Sequence, residues 1–225
     1  MNKDITKFKD IHKGKDVWVV LAGPSMNYID PSFFDNKITV GVNQVYRFFK
    51  SDYIVMKDLL EAPRFVNSCI ELEKHNIPLI YPKYYKGVPG KGLNSTTNKN
   101  SFVFNHNPRD KSILQELDQL KENELIVTKS TATTAFHFAA YLGAKNIMVA
   151  GHDCGVLNGC NIYKKYLEED WKSSAKWSGY EDWMSDIEAQ SILVRDFLKV
   201  KYNCNIHSIN PFIGLSLEKN TFVSS

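Results

Sequence analysis

The stretch "VWVVLAGPSMNYID" (residues 17–30) decides the fold, because it contains an apolar strand that ends abruptly. Its first six residues are rich in valine and too continuous for a strand with one solvated face. This pattern is typical of a strand buried in a parallel sheet. The run stops at Gly23-Pro24-Ser25, where glycine permits close approach of the backbone and proline restricts it. We therefore expect either an ordinary turn or a ligand-binding loop there.

Similar short apolar segments recur along the chain and alternate with helical patterns. The predicted strands are "VWVVLA" (17–22), "ITVGVN" (38–43), "YIVM" (53–56), "PLIYP" (78–82), "LIVT" (125–128), "NIMVAG" (146–151) and "CNIHSI" (204–209). Apolar residues at helical spacing predict helices in "STATTAFHFAAYLGAK" (130–145) and "SDIEAQSILVRDFLKVKY" (185–202). The alternation predicts an α/β fold: a single Rossmann-like domain over residues 1–225 with a largely parallel sheet.

Composition excludes several classes of protein. The 225 residues, 43% hydrophobic and 24% charged, suit one domain with a buried core, and a net charge of +3 is too small to predict nucleic-acid binding. No apolar run approaches the roughly 20 residues of a membrane helix, and "MNKDITKFKD" does not resemble a signal peptide, so we expect a cytoplasmic protein. His152, Cys154 and Cys160 match no common zinc spacing, and no metal site is predicted.

Two stretches do not fit the alternating pattern. Residues 84–112 are rich in glycine, proline, asparagine and serine, and loops of that length inside a domain are usually functional or disordered. Residues 155–184 contain more tyrosines and tryptophans than a connection requires. We expect these two stretches to cover a substrate.

Polar residues follow the predicted strands at positions that a parallel sheet brings to one edge. They are Gly23 and Ser25 after the first strand, Asn43 after the second, Ser130 and Thr131 at a helix start, and His152 and Asp153 after "NIMVAG". Amides at a helix start bind anions, an asparagine or aspartate can hold a base or ribose, and a histidine can accept a proton. Each residue alone could equally be a turn or cap residue, but together they predict one ligand site. His137, inside the helix, is predicted to be structural.

A resemblance to a known group rests on four pieces in a fixed order. They are "AGPSMNYID", "GVNQVYRF", "STATTAFHFAAYLGAKNIMVAGHD" and "RDFLKVKYNCNIHSINP". From residue 17 to about residue 210 the chain resembles the bacterial CMP-sialic-acid-dependent sialyltransferases of glycosyltransferase family 42. It also resembles the related Rossmann-like domains of motility accessory factors, which act in flagellin glycosylation, and of archaeal hydroxymethyl-dihydropterin pyrophosphokinases.

The resemblance implies a role for each candidate residue. Gly23, Ser25 and Asn43 are implied to line a nucleotide pocket, with Ser130 and Thr131 at its phosphate end. Residues 155–184 are implied to form a mobile lid.

The resemblance also bears on the catalytic residues. Where the sialyltransferases have a histidine before the last helix as the acceptor's base, this chain has Asp186. A tyrosine expected just after "GHD" is absent, and Tyr163 could supply its contact with the phosphate.

The leading prediction is a nucleotide-dependent transferase, a glycosyltransferase using a CMP-activated or similar nucleotide sugar. Asp186 or His152 would take the acceptor's proton, and no cofactor would be required. One alternative is a pyrophosphokinase acting on a pterin-like alcohol, which would need Mg²⁺ held by Asp58 and Asp153. Another is a nucleotide-binding module without catalysis.

Overall fold

A computed structural model of the chain describes residues 3–57, 63–83, 99–106, 120–168 and 179–209. Eight parallel strands form one sheet in the order β1-β6-β5-β4-β3-β2-β7-β8. The strands are β1 Lys3–Asp4, β2 Asp16–Val20, β3 Ile38–Val42, β4 Tyr53–Val55, β5 Leu79–Pro82, β6 Ser101–Phe104, β7 Asn146–Ala150 and β8 Asn205–Ser208. Within these ranges the helices are α1 Pro63–Lys74, α2 Thr131–Tyr141, α3 Lys164–Glu168 and α4 Tyr180–Tyr202. The predicted α/β class with a parallel sheet is therefore confirmed.

Two hydrophobic clusters cover the two faces of the sheet. On one face, every residue of α2 is buried, and α4 packs over α2 through Val194 and Leu198. On the other face, Met26 comes from the 3₁₀ segment Pro24–Tyr28, Phe49 from the turn after β3, and Leu72 from α1. Because both faces are covered, the strands consist almost entirely of buried apolar residues, as the sequence pattern predicts.

Six of the seven predicted strands are present, and the prediction for residues 125–128 is wrong. The amide of Ile126 donates to Nδ1 of His137 at 3.0 Å, and the hydroxyl of Thr134 donates to the Ile126 carbonyl at 2.8 Å. At Ile126, side chains of α2 thus take the hydrogen bonds that a neighbouring strand would make. His137 is 1% exposed and its Nε2 lies 2.8 Å from the hydroxyl of Tyr202, which confirms a structural role.

Two strands, β1 and β6, were not predicted. The four residues of β6 stand among asparagines, within the stretch 84–112 expected to be a covering loop. Nevertheless β6 pairs with β5 over four residues, from Leu79 opposite Ser101 to Pro82 opposite Phe104. That expectation is therefore wrong for residues 101–104, while residues 84–98 and 107–112 lie outside the described part of the chain.

Candidate functional site at the carboxyl edge of the sheet

The order in which successive strands are added to the sheet reverses at β2. From β2 the chain adds β3, β4 and β5 on one side and later places β7 on the other side of β2. Val20 pairs with Gly41 of β3 and with Ala150 of β7, so the loops after these three strands leave the same edge side by side. In open α/β sheets, ligands bind outside the carboxyl ends at such a point.

The loops after β2 and β7 are joined by the side chain of Asp153. Its Oδ2 accepts a hydrogen bond from the Ser25 amide at 2.6 Å, and its Oδ1 accepts one from the Ser25 hydroxyl at 2.7 Å. Both residues are buried. The structure thus brings together two residues that are 128 positions apart in the sequence.

Gly23 allows these two loops to approach closely. Its amide donates to the Gly151 carbonyl at 2.8 Å. A Cβ atom on Gly23 would lie 2.4 Å from that carbonyl oxygen and 2.5 Å from Oδ2 of Asp153, closer than real Cβ contacts allow. Glycine is therefore needed at this position for space, since its φ of −68° is open to any residue.

Asn43 follows directly at the end of β3. It adopts a left-handed φ of 56° and begins a short 3₁₀ segment, Asn43–Arg47. Asparagine tolerates this conformation better than most residues. Its side chain is half-buried, and β3, which it follows, pairs with β2, the strand that precedes Gly23 and Ser25.

The start of α2 carries Ser130 and Thr131, the two residues predicted to lie at the phosphate end of the site. The hydroxyl of Ser130 accepts a hydrogen bond from the Ala132 amide at 3.1 Å, so Ser130 is the N-cap. Thr131 is buried, and its hydroxyl makes no hydrogen bond to another described residue. The first amides of a helix have no partner within the helix and attract anions.

A residue that sequence reasoning missed, Lys57, holds this helix start against the sheet. Lys57 follows β4 and is 5% exposed. Its Nζ donates to the carbonyls of Thr128 and Lys129 at 2.7 and 2.6 Å. A lysine after a strand carries no recognisable sequence signal, because its carbonyl partners come from a segment 71 and 72 residues later.

Asp186 lies beside the same helix start, on the exposed side of α4. Its carboxylate forms an ion pair with Lys129, whose amide donates to Oε1 of Gln190 at 3.0 Å. The Lys129 ammonium also lies 5.2 Å from the centre of the Trp183 ring. Asp186 does not cap a helix, because α4 begins six residues earlier, at Tyr180.

His152 is buried, whereas a general base must reach the substrate. It is 7% exposed, its Nε2 lies 3.0 Å from the hydroxyl of Ser191, and its ring packs edge-on against Phe136. Burial lowers the pKa of His152 to about 4, so the imidazole is neutral at pH 7. The geometry gives His152 a packing role between α2 and α4.

Tyr163 lies in the second hydrophobic cluster and not in a lid over the site. Its amide donates to the Ala22 carbonyl at 2.8 Å, and its ring packs against Phe48 and Phe49. Tyr166 packs against Phe48 in the same way. The expectation that the aromatic residues of 155–184 form a lid is wrong for these two tyrosines, while residues 169–178 lie outside the described part of the chain.

Two further observations concern metals and membranes. Among the described residues, no three or more His, Cys, Asp or Glu side chains are grouped so that they could hold a metal ion. All four cysteines are present as thiols. Within the same ranges, each helix is too short or too polar to cross a bilayer.

The described geometry can be set beside known proteins. No protein-family model and no curated protein matches the chain. Among solved structures, it is similar to the monofunctional α-2,3-sialyltransferase Cst-I from Campylobacter jejuni, with a TM-score of 0.49 and 13% identity over 87% of this chain and 76% of that one. It is also similar to the sialyltransferase CstII from Campylobacter jejuni, solved with the substrate analogue CMP-3FNeuAc, with a TM-score of 0.49 and 15% identity over 90% and 86% of the two chains.

A third solved structure, the sialyltransferase CST-II in complex with a trisaccharide acceptor and CMP, has a TM-score of 0.48 and 15% identity over 90% and 86% of the two chains. At such identities the similarity concerns the fold alone.

Proposed function

We propose that the chain is a nucleotide-dependent transferase, a glycosyltransferase that uses a CMP-activated or similar nucleotide sugar. The observation that carries the proposal is the meeting of the β2 and β7 loops, through Ser25 and Asp153, where the strand order reverses. Parallel α/β sheets bind nucleotides at this point. Asn43 at the neighbouring strand end would contact the base or ribose.

The phosphate of the donor would lie against the start of α2. Free amides and the Thr131 hydroxyl can donate hydrogen bonds to phosphate oxygens there, and the positive end of the helix dipole attracts their negative charge. The same contacts stabilise the negative charge that develops on the nucleotide as it leaves. Asp153 would support the pocket by holding Ser25, since both of its oxygens already accept hydrogen bonds from that residue.

The transfer step is a displacement at the anomeric carbon of the donor sugar. The acceptor hydroxyl oxygen forms a bond to the anomeric carbon of the donor sugar while the bond from that carbon to the phosphate oxygen breaks. The nucleotide leaves with the electron pair of the broken bond, and the acceptor's proton passes to a base. Asp186 is the candidate base because it is exposed and lies beside Lys129, two residues before Thr131.

The experiment is a binding screen followed by a turnover assay. CMP, UDP, GDP and ATP are tested with and without Mg²⁺ for an increase in melting temperature, and CMP affinity is then measured by calorimetry. We expect CMP to bind without Mg²⁺. Thr131→Ala should weaken its binding by about 1 kcal/mol, roughly fivefold, on the scale of a hydrogen bond to a charged group.

The matched control is Thr6→Ala, the same change at an exposed threonine beside β1 at the far end of the sheet. It should leave the affinity unchanged. Stabilisation by ATP only with Mg²⁺ would instead favour the pyrophosphokinase, and binding without transfer would favour the non-catalytic module. No response to any of the four nucleotides would contradict the proposal.

A further inference from the structure

An exposed tryptophan stands on α4 beside the candidate site. Trp183 is 39% exposed, although tryptophan is highly buried on average. The Lys129 ammonium lies 5.2 Å from the centre of its ring, and the side chain is nevertheless open to solvent in part. A single exposed aromatic residue is ordinary on a protein surface, so its neighbours decide whether it has a role.

Trp183 shares one stripe of α4 with two polar residues. Asp186 and Gln190 follow it three and seven positions later, and residues at that spacing lie on the same side of a helix. All three contact Lys129. The indole and the Asp186 carboxylate lie at its ammonium, and Oε1 of Gln190 accepts a hydrogen bond from its amide at 3.0 Å. The stripe therefore faces the segment that leads into α2.

An aromatic ring next to a carboxylate is suited to a sugar. One face of a pyranose ring presents C–H groups, which pack on the electron-rich face of an aromatic ring. The edge of the same sugar presents hydroxyls, which donate hydrogen bonds to a carboxylate such as that of Asp186. Ligand sites commonly combine apolar surface with a few polar groups that fix orientation. The stripe on α4 offers both kinds of contact side by side.

The stripe lies where an acceptor has to bind. The acceptor hydroxyl must reach the anomeric carbon, which is bonded to a phosphate oxygen of the donor, and that phosphate would lie near Thr131. Consecutive Cα atoms are about 3.8 Å apart, so Lys129 and Thr131 are within roughly 8 Å of each other. Since Trp183 contacts Lys129, a ligand on the indole would lie next to the transferred group.

We propose that Trp183 is a specificity-determining residue that binds the acceptor as a pyranose sugar, with one face of the sugar ring on the indole and a hydroxyl directed to Asp186. This inference rests on the proposed function, because it takes the donor phosphate to lie beside Lys129. A linear polyol has hydroxyls but no ring face to pack on Trp183. The site therefore favours a ring sugar over a linear polyol.

A role limited to structure makes a different prediction. If Trp183 only keeps the Lys129 side chain in place, its loss should disturb the neighbouring phosphate end and weaken CMP binding. If Trp183 contacts the acceptor, its loss should weaken the binding of a sugar and leave CMP affinity unchanged. A phenylalanine at the same position keeps an aromatic face and should restore sugar binding.

The test measures binding of methyl β-galactoside to the CMP-saturated protein by saturation-transfer NMR, with xylitol as the linear comparison. This galactoside presents several neighbouring C–H groups on one face of its ring. In Trp183→Ala we expect its Kd to rise about fivefold or more, the scale of a lost aromatic contact, with the Kd for CMP within about twofold of wild type. Trp183→Phe should recover most of the loss, and xylitol should not bind any of the proteins.

The matched control is Phe33→Ala, which removes an aromatic side chain of similar exposure, 41%. The Phe33 ring packs against Trp18, which contacts the second hydrophobic cluster on the other face of the sheet from α4. Its loss should leave galactoside binding unchanged. If Trp183→Ala does not melt cooperatively, Trp183→Leu keeps an apolar side chain without an aromatic face and is judged by the same two Kd values.

Three results would overturn the role of Trp183 and leave the nucleotide site intact. They are a wild-type protein that binds CMP but no galactoside, a Trp183→Ala protein that binds galactoside as wild type does, and wild-type binding of xylitol equal to that of galactoside. A parallel loss of CMP and galactoside binding in Trp183→Ala would assign Trp183 a structural role instead. If the wild-type protein binds no nucleotide, the proposed function fails and this inference fails with it.

Discussion

Removing the Ser25 hydroxyl tests whether the link between the β2 and β7 loops stabilises the protein. Ser25→Ala deletes the 2.7 Å hydrogen bond to Oδ1 of Asp153 and keeps the 2.6 Å bond from the amide to Oδ2. Ser25 is 4% exposed and Asp153 2%, so water cannot easily replace the lost donor. A hydrogen bond to a charged group contributes about 1.5–3 kcal/mol, and the free energy of unfolding should fall by that amount.

Urea unfolding and thermal melting measure the effect. For a chain of this size, each kcal/mol shifts the melting temperature by about 2–4 °C, so we expect a decrease of roughly 3–12 °C. Ser185→Ala is the matched control, because Ser185 is exposed on α4. Exposed substitutions of this kind usually change stability by no more than about 0.5 kcal/mol.

A double-mutant cycle with Asp153→Asn then assigns the effect to the pair. Asparagine keeps an oxygen for one of the two Ser25 donors but lacks the negative charge. Residues in direct contact usually show a coupling energy of about 0.5–3 kcal/mol, so the effects of Ser25→Ala and Asp153→Asn should not add. Additive effects, or a Ser25→Ala protein as stable as Ser185→Ala, would refute the stabilising role of the link.

Two further predictions concern catalysis and pH. Asp186→Asn should lower the rate of single-turnover transfer about 100-fold or more and leave CMP affinity nearly intact, since a base acts in the transition state. The control is Asp182→Asn, at an exposed aspartate on the same helix, which should keep the wild-type rate. An Asp186→Asn protein with the wild-type rate would show that Asp186 is not the base. Burial lowers the pKa of His152 to about 4 and that of His137 to about 3, below the value near 6.5 of an unfolded chain. The unfolded state therefore binds more protons below pH 6.5, and the free energy of unfolding should fall from pH 6.5 towards pH 4 by up to about 1.4 kcal/mol per pH unit for each histidine. In His152→Gln the free energy of unfolding should depend less steeply on pH. Equal pH dependence in the two proteins would contradict a lowered pKa of His152.

The fold could be predicted because most of its strands are buried on both faces. Continuous apolar runs such as residues 17–22 and 146–151 carry that signal within a few neighbouring residues. The same signal misled at residues 125–128, where the groups that satisfy the backbone are side chains of α2. It was absent at β6, because four residues between asparagines are too few to show a pattern.

The site was predictable only where the residue type itself marks the end of a strand or the start of a helix. Gly23 is required by close contact with Gly151, and Ser130 by its role as N-cap, so both are visible in the sequence. Lys57 and Tyr163 were missed or misassigned because tertiary packing alone determines their roles. A buried lysine beside two distant carbonyls looks like any other lysine, and a tyrosine packed against Phe48 looks like an aromatic residue on a lid.

The hydrogen bonds at the carboxyl edge divide the candidate residues into two groups. The side chains of Ser25 and Asp153 are satisfied by each other, so substitutions there should act first on stability. Thr131 is a buried residue whose hydroxyl makes no hydrogen bond to a described residue, and a substitution there should act first on ligand affinity. Since a structural turn would need only the first kind of residue, the presence of the second kind at a helix start is what favours a ligand site over a turn.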